Sequence, residues 1–253
     1  EPIFRPFEPK HLVELQEQVR QTVSVLEKLP GLDDCLPFLA SQIRLLTGYD
    51  RVTVYRFDRD WEGEVIAESL DAERLPSYLG HRFPAGDIPP QARALYEKNP
   101  FRLFVDTEVE PSRVVPTLNP LTAAPLDLSQ AMLRSFSPVH IEYLRNMDVR
   151  AVMSVALLVD GKLWGLIACH HKTPKGLDPP TREMVKFLGV MASMKISALV
   201  AAERERISQR INDTIRLLLG LLGPGQPGTL QLVEFDRQLK RLIDATGILI
   251  RVD

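Results

Sequence analysis

One β-hairpin is the strongest constraint on how this chain can fold. Residues 151–171 read AVMSVALLVDGKLWGLIACHH, with two apolar runs on either side of Asp160-Gly161. Aspartate followed by glycine is a preferred two-residue hairpin turn, because such turns need positive φ at both central positions. The segment therefore predicts two antiparallel strands that are rich in apolar side chains.

Helical periodicity precedes and follows this hairpin. Residues 9–29 carry leucine and valine at spacings of three and four, and a Pro-Gly pair then ends the helix. We expect Asp33 or Asp34 to cap the next helix. The region from about 180 to 222 is longer than a usual globular helix. It is either one helix with a sustained apolar stripe, as in signalling or dimer packing, or two helices with a bend.

The remaining pattern completes an α+β arrangement. Residues 51–58 read as a strand and 64–70 as its partner, whereas 71–135 are rich in proline and poor in regular pattern. Long irregular connections are usually functional. We expect a central antiparallel sheet flanked by helices, with a long insertion that covers one face as a pocket wall. A helix near 230–244 and a strand at 247–252 read as the start of another domain.

Composition disfavours several classes of partner. The 253 residues are 45% hydrophobic with a net charge of −2, so there is no basic field to attract nucleic acid or an anionic membrane. We expect no membrane-spanning segment, because no uninterrupted apolar run reaches the roughly 18–20 residues needed. Cys35 and Cys169 form neither a disulfide framework nor a zinc pattern, which favours a cytoplasmic location.

Sequence motifs of the common enzyme classes are absent, including G-x-S-x-G, the Walker loop, G-x-G-x-x-G and H-E-x-x-H. Adjacent strand residues face opposite sides, so His170 and His171 are poorly placed to chelate one metal. Several polar residues are scattered through apolar sequence: Asp87, Arg102, Arg134, Ser137, His140, Tyr143, Ser154 and His170. Because arginine binds carboxylate in a bidentate manner, this set favours a pocket for a large apolar ligand that carries carboxylates.

Three stretches of the chain are GHRFPAGDIPPQARALY, LRSFSPVHIEYLRNM and LWGLIACHH. In sequence, order and spacing they resemble the signature stretches of the phytochrome GAF domain, and those of bacteriophytochromes most closely. The resemblance runs from about residue 10 to 200. It implies three regions: the end of an upstream segment or linker at 1–8, a GAF bilin-binding domain at 9–200, and a connecting helix with the truncated start of a PHY-like domain at 201–253.

The resemblance implies a photoreceptor module with no catalysis of its own. The family holds a bilin, a linear tetrapyrrole, and light isomerises its double bond between rings C and D. The bacterial signatures favour biliverdin IXα. In the family, long helices relay the change to an output module such as a kinase or cyclase. We expect a homodimer through helices near 10–29 and 180–220, and no nucleic acid or membrane partner.

The resemblance also implies roles for the polar loop and the two pocket histidines. In the stretch that contains Asp87, Ile88 and Pro89, the main-chain carbonyl of Asp87 would accept hydrogen bonds from pyrrole N–H groups. The Asp87 carboxylate would join the network that rearranges on isomerisation. His140 matches the histidine beside the inner pyrroles, and His170 matches the hydrogen-bond donor to the ring D carbonyl.

The remaining implied contacts are to the propionates and to ring D. They match Arg102 and Arg134 as partners of a propionate, Ser137 and Ser154 as hydroxyl contacts, and Tyr55, Phe83 and Tyr143 as aromatic groups around ring D. Tyr96 follows Asp87 in the same order along the chain as in the family. The segment 103–133 corresponds to the family's lasso.

Two positions depart from the family's pattern. Gly86 stands where serine is usual, which loosens the loop by about 0.5–1 kcal/mol. Val139 stands where plant-type members carry the cysteine of the thioether bond. Strand alternation points Cys169 away from whatever His170 faces, and Cys35 reads as a buried helix residue. With no recognisable attachment cysteine, three alternatives stay open: binding is non-covalent, the cysteine lies outside this chain, or the PAS domain that follows it in bacteriophytochromes is naturally absent.

Three other interpretations stay open at this point. The first is a GAF scaffold or regulatory dimerisation domain that has lost bilin binding, and the second is a GAF sensor of a cyclic nucleotide or haem. The third is a hydrolase that uses His140 with Ser137, which lacks an orienting acid and an oxyanion-hole motif.

Overall fold

The computed structural model describes residues 9–132, 134–221 and 240. In chain order the helices are α1 (Pro9–Lys28), α2 (Leu32–Thr47), α3 (Pro90–Lys98), α4 (Pro138–Asn146) and α5 (Pro179–Leu221). The strands are β1 (Arg51–Phe57), β2 (Gly63–Leu70), β3 (Arg82–Phe83), β4 (Phe101–Phe104), β5 (Ala151–Val159) and β6 (Lys162–His171).

The strands form one antiparallel sheet in the order β3-β2-β1-β6-β5-β4. The predicted hairpin is confirmed as β5 and β6, and its turn residues Asp160 and Gly161 have φ values of 53° and 75°. Since β1 pairs with β6, two inner strands bring residues from both halves of the chain together. The predicted α+β class with a central antiparallel sheet is confirmed.

One face of the sheet is covered by α1, α2 and the first part of α5. The residues of these helices that are buried include Leu15, Val19, Leu26, Leu36, Leu39, Ile43, Val185, Leu188 and Ile196. Helix α5 approaches β5 closely, because a Cβ atom on Gly189 would lie 2.4 Å from Cγ1 of Val155. This packing leaves the other face of the sheet for the functional site.

The expected cap of α2 is wrong. The helix begins at Leu32 with Gly31 as its N-cap residue, and no side chain caps it. Asp33 and Asp34 instead lie in the first turn. Carboxylates there still stabilise the helix, because its N-terminus carries a partial positive charge.

The proline-rich segment 71–135 is more regular than the sequence indicated. It contains β3, a 3₁₀ turn at Ala85–Asp87, helix α3 and the edge strand β4. Strand β4 has only four residues, and its pattern is too short to recognise without its partner β5. Residues 105–132 have no helix or strand, apart from an isolated bridge between Leu118 and Pro125. The start of the expected lasso at 103 therefore belongs to β4.

Helix α5 is continuous, which decides between the two interpretations of the 180–222 region. Its stretch Pro179–Arg216 contains an 18-residue window with a mean hydropathy of 1.6, which is enough to cross a membrane by length and composition alone. The expectation that the chain contains no such segment is therefore not met by length and composition. Core helices pass the same test, and in the first part of α5 Val185, Leu188, Ala192 and Ile196 are buried in the protein.

The chain divides into two compact units, and the boundary lies after Ser197. The first contains the sheet and the helices that pack on it. In the second, the described part is mainly the C-terminal stretch of α5, where Ile207, Ile211 and Ile215 are exposed. The predicted helix at 230–244 and strand at 247–252 lie outside the described residues, apart from residue 240.

Candidate functional site

A cavity of about 710 Å³ lies on the sheet face opposite α1 and α2. Its floor comes from β1, β5 and β6, and its walls come from α3, α4 and the loops before them. All thirteen site residues predicted from the sequence line this cavity: Tyr55, Phe83, Asp87, Ile88, Pro89, Tyr96, Arg102, Arg134, Ser137, His140, Tyr143, Ser154 and His170. The size is that of pockets that bury a ligand of several rings.

Two arginines bring positive charge into this cavity. The Arg102 guanidinium carbon lies 4.1 Å from the centre of the Phe136 ring. Arg134 donates from Nη1 to the Ser129 carbonyl at 2.6 Å. Nε of Arg102 and Nη2 of Arg134 are both buried without a hydrogen-bond partner among the described residues. Burial, with a smaller contribution from Arg134, lowers the pKa of Arg102 to about 10.

These buried N–H groups specify the charge of a ligand. Leaving a buried donor unsatisfied costs about 1–3 kcal/mol, and more when the group is charged. A carboxylate would satisfy the free donors of Arg102 and Arg134 and offset the repulsion between two cations. The pair therefore suits a ligand with acidic groups at this end of the cavity.

The loop before α3 presents one main-chain carbonyl, that of Asp87, without a hydrogen-bond donor among the described residues. A 3₁₀ turn forms when the Asp87 N–H donates to the Pro84 carbonyl at 3.1 Å. In a continued 3₁₀ turn the carbonyls of Gly86 and Asp87 would accept from residues 89 and 90, but both are prolines and have no N–H. Within the described part of the chain, no N–H or O–H group donates to the Asp87 carbonyl. It remains available to a ligand N–H.

Arg93 fixes the position of this loop from α3. Its Nη1 donates to the Ile88 carbonyl at 3.0 Å and to the Ala85 carbonyl at 3.3 Å. Its guanidinium carbon also lies 4.5 Å from the centre of the Trp61 ring. Arg93 is not among the site residues predicted from the sequence. A signal was available, since Arg93 is one helical turn after the loop and can reach back to its carbonyls.

The Asp87 side chain is linked to α4. Its Oδ2 accepts a hydrogen bond from the Tyr143 hydroxyl at 3.4 Å, a long contact. Burial and the Asp87 carboxylate raise the pKa of Tyr143 to about 12, so this hydroxyl keeps its proton and acts as the donor. The pair joins the proline loop to α4 across the cavity.

His140 and His170 are neutral donors or acceptors in this cavity. Burial first, and the Arg102 charge second, lower the pKa of His140 to about 4. Burial, Arg51 and His140 lower the pKa of His170 to about 3. The ring of His140 stacks on that of Tyr143 with centres 6.2 Å apart. His171 lies on the other face of the sheet, with Nδ1 2.8 Å from Oδ2 of Asp50, as strand alternation predicts.

The GAF domain family matches residues 31–196, about two thirds of the chain. The chain belongs to the GAF domain family.

Two relatives and one solved structure indicate which kind of GAF domain this is. A cyanobacterial phytochrome B from Nostoc sp. is 53% identical over 160 residues, which cover 63% of this chain and 21% of that protein. A bacteriophytochrome from Pseudomonas aeruginosa is 49% identical over 183 residues, 72% of this chain and 25% of that protein. The crystal structure of the chromophore-binding domain of an unusual bacteriophytochrome from R. palustris matches with a TM-score of 0.75 and 40% identity, covering 78% of this chain and 64% of that one.

The resemblance to the phytochrome GAF domain is thereby confirmed. This GAF domain spans between a fifth and a quarter of the length of the two curated relatives. The match to the GAF domain family covers residues 31–196, and the residues that line the cavity lie within this range.

Aromatic side chains close one end of the cavity in this GAF domain. Phe83 lies between Tyr55 and Tyr78, with ring centres 6.0 Å and 5.9 Å away. Tyr78 was missed in the sequence, because it lies in the irregular segment between β2 and β3. A tyrosine two residues before a glycine, in SYLGHRFP, is the only local signal.

Most of the apolar lining was also missed. It includes Val65, Leu95, Leu144, Met147, Val152 and Leu166. Strand alternation could have found part of it, since Leu166 and Ala168 share a face of β6 with His170. The walls contributed by helices depend on how α3 and α4 dock, which periodicity alone does not give.

Position 139 and the two cysteines bear on covalent attachment. Val139 lines the cavity with 77% of its surface exposed. Cys35 and Cys169 are buried, neither lines the cavity, and burial raises the pKa of both thiols. Neither of these two described thiols reaches the site.

Ser137 has a structural use as well as a place in the lining. It is the N-cap of α4, where its Oγ accepts from the His140 N–H at 3.3 Å. Since α4 carries His140 and Tyr143, this cap helps to orient both. In the described ranges, no three His, Cys, Asp or Glu side chains form a group that could hold a metal ion.

Proposed function

We propose that this chain is a bilin-binding photosensory module. One observation carries the proposal: a single apolar cavity combines two arginines with buried, unpartnered N–H groups and a proline-bounded loop whose Asp87 carbonyl is free. A linear tetrapyrrole has matching chemistry, with propionate groups on an apolar body and pyrrole N–H donors at its centre. Biliverdin is the bilin that the bacterial type of signature stretch favours.

Each protein group then has a defined task. Arg102 and Arg134 hold the propionates, and Ser154 adds a hydroxyl. The Asp87 carbonyl accepts from the inner pyrrole N–H groups, and neutral His140 lies beside them. A bound bilin supplies absorption of red light and isomerisation between rings C and D. The apolar walls exclude water from the ligand.

The Asp87–Tyr143 contact and His170 form the part of the site that can report a change. Both lie near the aromatic end formed by Tyr55 and Phe83. With a bilin bound, the hydrogen bonds of Asp87, Tyr143 and His170 would be the ones to change partners, and the long helix α5 would relay the change. A homodimer through α1 and α5 and a kinase or cyclase output belong to this proposal. A cytoplasmic location remains a prediction.

A scaffold that has lost bilin binding is the second candidate. The exposed apolar side chains of α5, among them Phe187, Val190 and Met194, suit an interface. Such a scaffold has no use for two buried, unpaired arginine donors, which destabilise an empty cavity. The cavity therefore favours the bilin-binding function.

A spectral titration tests the proposal. Biliverdin added to the purified chain is expected to give a sharpened, red-shifted band that saturates at one bilin per chain. The matched control is the Arg102→Ala/Arg134→Ala variant, in which the band should require much more biliverdin. Denaturing gel filtration should then separate bilin from protein if binding is non-covalent. A spectrum of free biliverdin at all concentrations would contradict the proposal.

A further inference from the structure

Arg51 is a completely buried cation behind the wall of the cavity. It is the first residue of β1 and is 0% exposed. It forms no ion pair with a carboxylate of the described residues, although Asp50 and Glu68 lie nearby in the fold. A buried charge without an opposite charge is expensive, so its retention needs a reason.

The contacts of Arg51 are with the residues that form the wall. Its Nε donates to Nδ1 of His170 at 3.3 Å, and its Nη1 donates to the Pro76 carbonyl at 2.7 Å. Its guanidinium carbon lies 3.9 Å from the centre of the Tyr78 ring. Both His170 and Tyr78 line the cavity, whereas Arg51 does not. Arg51 therefore acts on a ligand only through these neighbours.

The sheet sets the geometry of the Arg51–His170 contact. The two residues are directly opposite each other in the β1–β6 register, so their side chains lie on the same face. The Pro76 carbonyl and the Tyr78 ring hold the far end of the arginine. The guanidinium is thus held at three points, and its Nε–H remains directed to the imidazole.

This contact determines where His170 carries its proton. A guanidinium has five N–H donors and no acceptor. Nδ1 of His170 must therefore be the acceptor, and the proton of the neutral ring must be on Nε2. Nε2 is the ring nitrogen left for a ligand in the cavity.

We propose that Arg51 is a positioning residue that fixes His170 as the Nε2–H tautomer. The wall then offers a hydrogen-bond donor at this point and selects a ligand with a carbonyl at its terminal ring. An imidazole without this partner could present a bare nitrogen and repel the same carbonyl. The selection of a carbonyl rests on the proposed bilin-binding function, but the tautomer does not.

Nitrogen NMR of the histidine rings tests the tautomer without any ligand. The chain is labelled with ¹⁵N-histidine, and the His170 signals are assigned by their loss in His170→Gln. In the wild-type chain we expect a protonated Nε2 and an unprotonated Nδ1. Arg51→Met should give a mixture of tautomers. Arg51→Lys should restore the wild-type pattern, since lysine also donates and does not accept.

Arg56 offers the matched control, because it is an exposed arginine on the same strand. Arg56→Met should leave the His170 tautomer unchanged. With biliverdin added, Arg51→Met should shift the long-wavelength band and reduce the light-induced difference spectrum, and Arg51→Lys should retain both.

The outcomes separate this proposal from the proposed function. A proton on Nδ1 in the wild-type chain would overturn the role of Arg51, whatever the variants do, and so would an Arg51→Met chain with the wild-type tautomer. A wild-type chain with the Nε2–H tautomer that changes in Arg51→Met, but without biliverdin binding, would support the role of Arg51 and contradict the photosensory function.

Discussion

The Tyr55 ring occupies the space where a side chain at position 63 would lie. A Cβ atom built on Gly63 would be 1.6 Å from Cζ and 1.7 Å from the hydroxyl oxygen of Tyr55. The two residues belong to neighbouring strands, and β1 has a register irregularity between Val54 and Tyr55. The absence of a side chain at residue 63 is what allows Tyr55 to lie in the cavity wall.

Gly63→Ala should displace Tyr55. Overpacking of a core site costs about 1–3 kcal/mol, and we expect a loss of this size in the free energy of urea unfolding. In a Tyr55→Ala background the same substitution should cost little, because the conflicting ring is gone. Equal losses in the two backgrounds would show that the conflict is not with Tyr55.

Gly86→Ser should be tolerated and should stabilise the proline loop. A Cβ atom at this position meets nothing within 4 Å, and Gly86 does not have the positive φ that would demand glycine. The gain should be about 0.4–1 kcal/mol, because serine restricts the unfolded chain more than glycine does. Urea unfolding measures it. A loss of stability or of bilin binding would mean that the loop needs glycine here.

Arg134→Ala should weaken bilin binding by about 10- to 100-fold, since a hydrogen bond to a charged group contributes roughly 1.5–3 kcal/mol. Fluorescence or absorption titration with biliverdin measures the dissociation constant. Biliverdin dimethyl ester, which lacks the carboxylates, is the matched ligand. It should bind wild type and variant with similar affinity. If the dimethyl ester also bound Arg134→Ala more weakly than wild type, the effect of Arg134 would not be on a propionate.

Acid should destabilise the ligand-free chain through its two cavity histidines. The unfolded chain binds protons on both residues below about pH 6.5, but the folded chain does not, because burial lowers the pKa of His140 to about 4 and of His170 to about 3. Their contribution to stability is therefore complete above pH 6.5 and is lost progressively as the pH falls toward about 4 and 3.

Urea midpoints at pH 7 and at acidic pH measure this dependence. His140→Gln/His170→Gln should show a smaller fall in stability on acidification than wild type. His81→Gln removes an exposed histidine and serves as the control. An acid response of the double variant equal to that of wild type would contradict the assignment of neutral, buried imidazoles.

Sequence predicted the parts of the fold that local pattern controls. The Asp160-Gly161 turn and its apolar flanks were sufficient to predict β5 and β6, and periodicity was sufficient for α1. Strand β4 was missed because four residues carry too little pattern, and the α2 cap was wrong because Gly31 precedes the aspartates. The first of these concerns the site, because β4 carries Arg102 and its pairing with β5 places that arginine opposite Ser154.

The site residues came from the resemblance, and the structure brings all of them to one cavity. Arg51 and Tyr78 were missed because they act through tertiary contacts, whereas Arg93 is five and eight residues from the carbonyls it binds and could have been found. Arg51 reaches His170 only when β1 pairs with β6. Such contacts leave no periodic signal in the sequence.

An absorption spectrum of the chain with biliverdin, recorded before and after red light, tests the central claim most directly. We expect a long-wavelength band that decreases on illumination while a second band grows, and recovers in the dark or under light of the second colour. Asp87→Ala should keep the first band but show a smaller light-induced change, because its link to Tyr143 is lost. A biliverdin spectrum unchanged by the protein and by light would contradict the photosensory account.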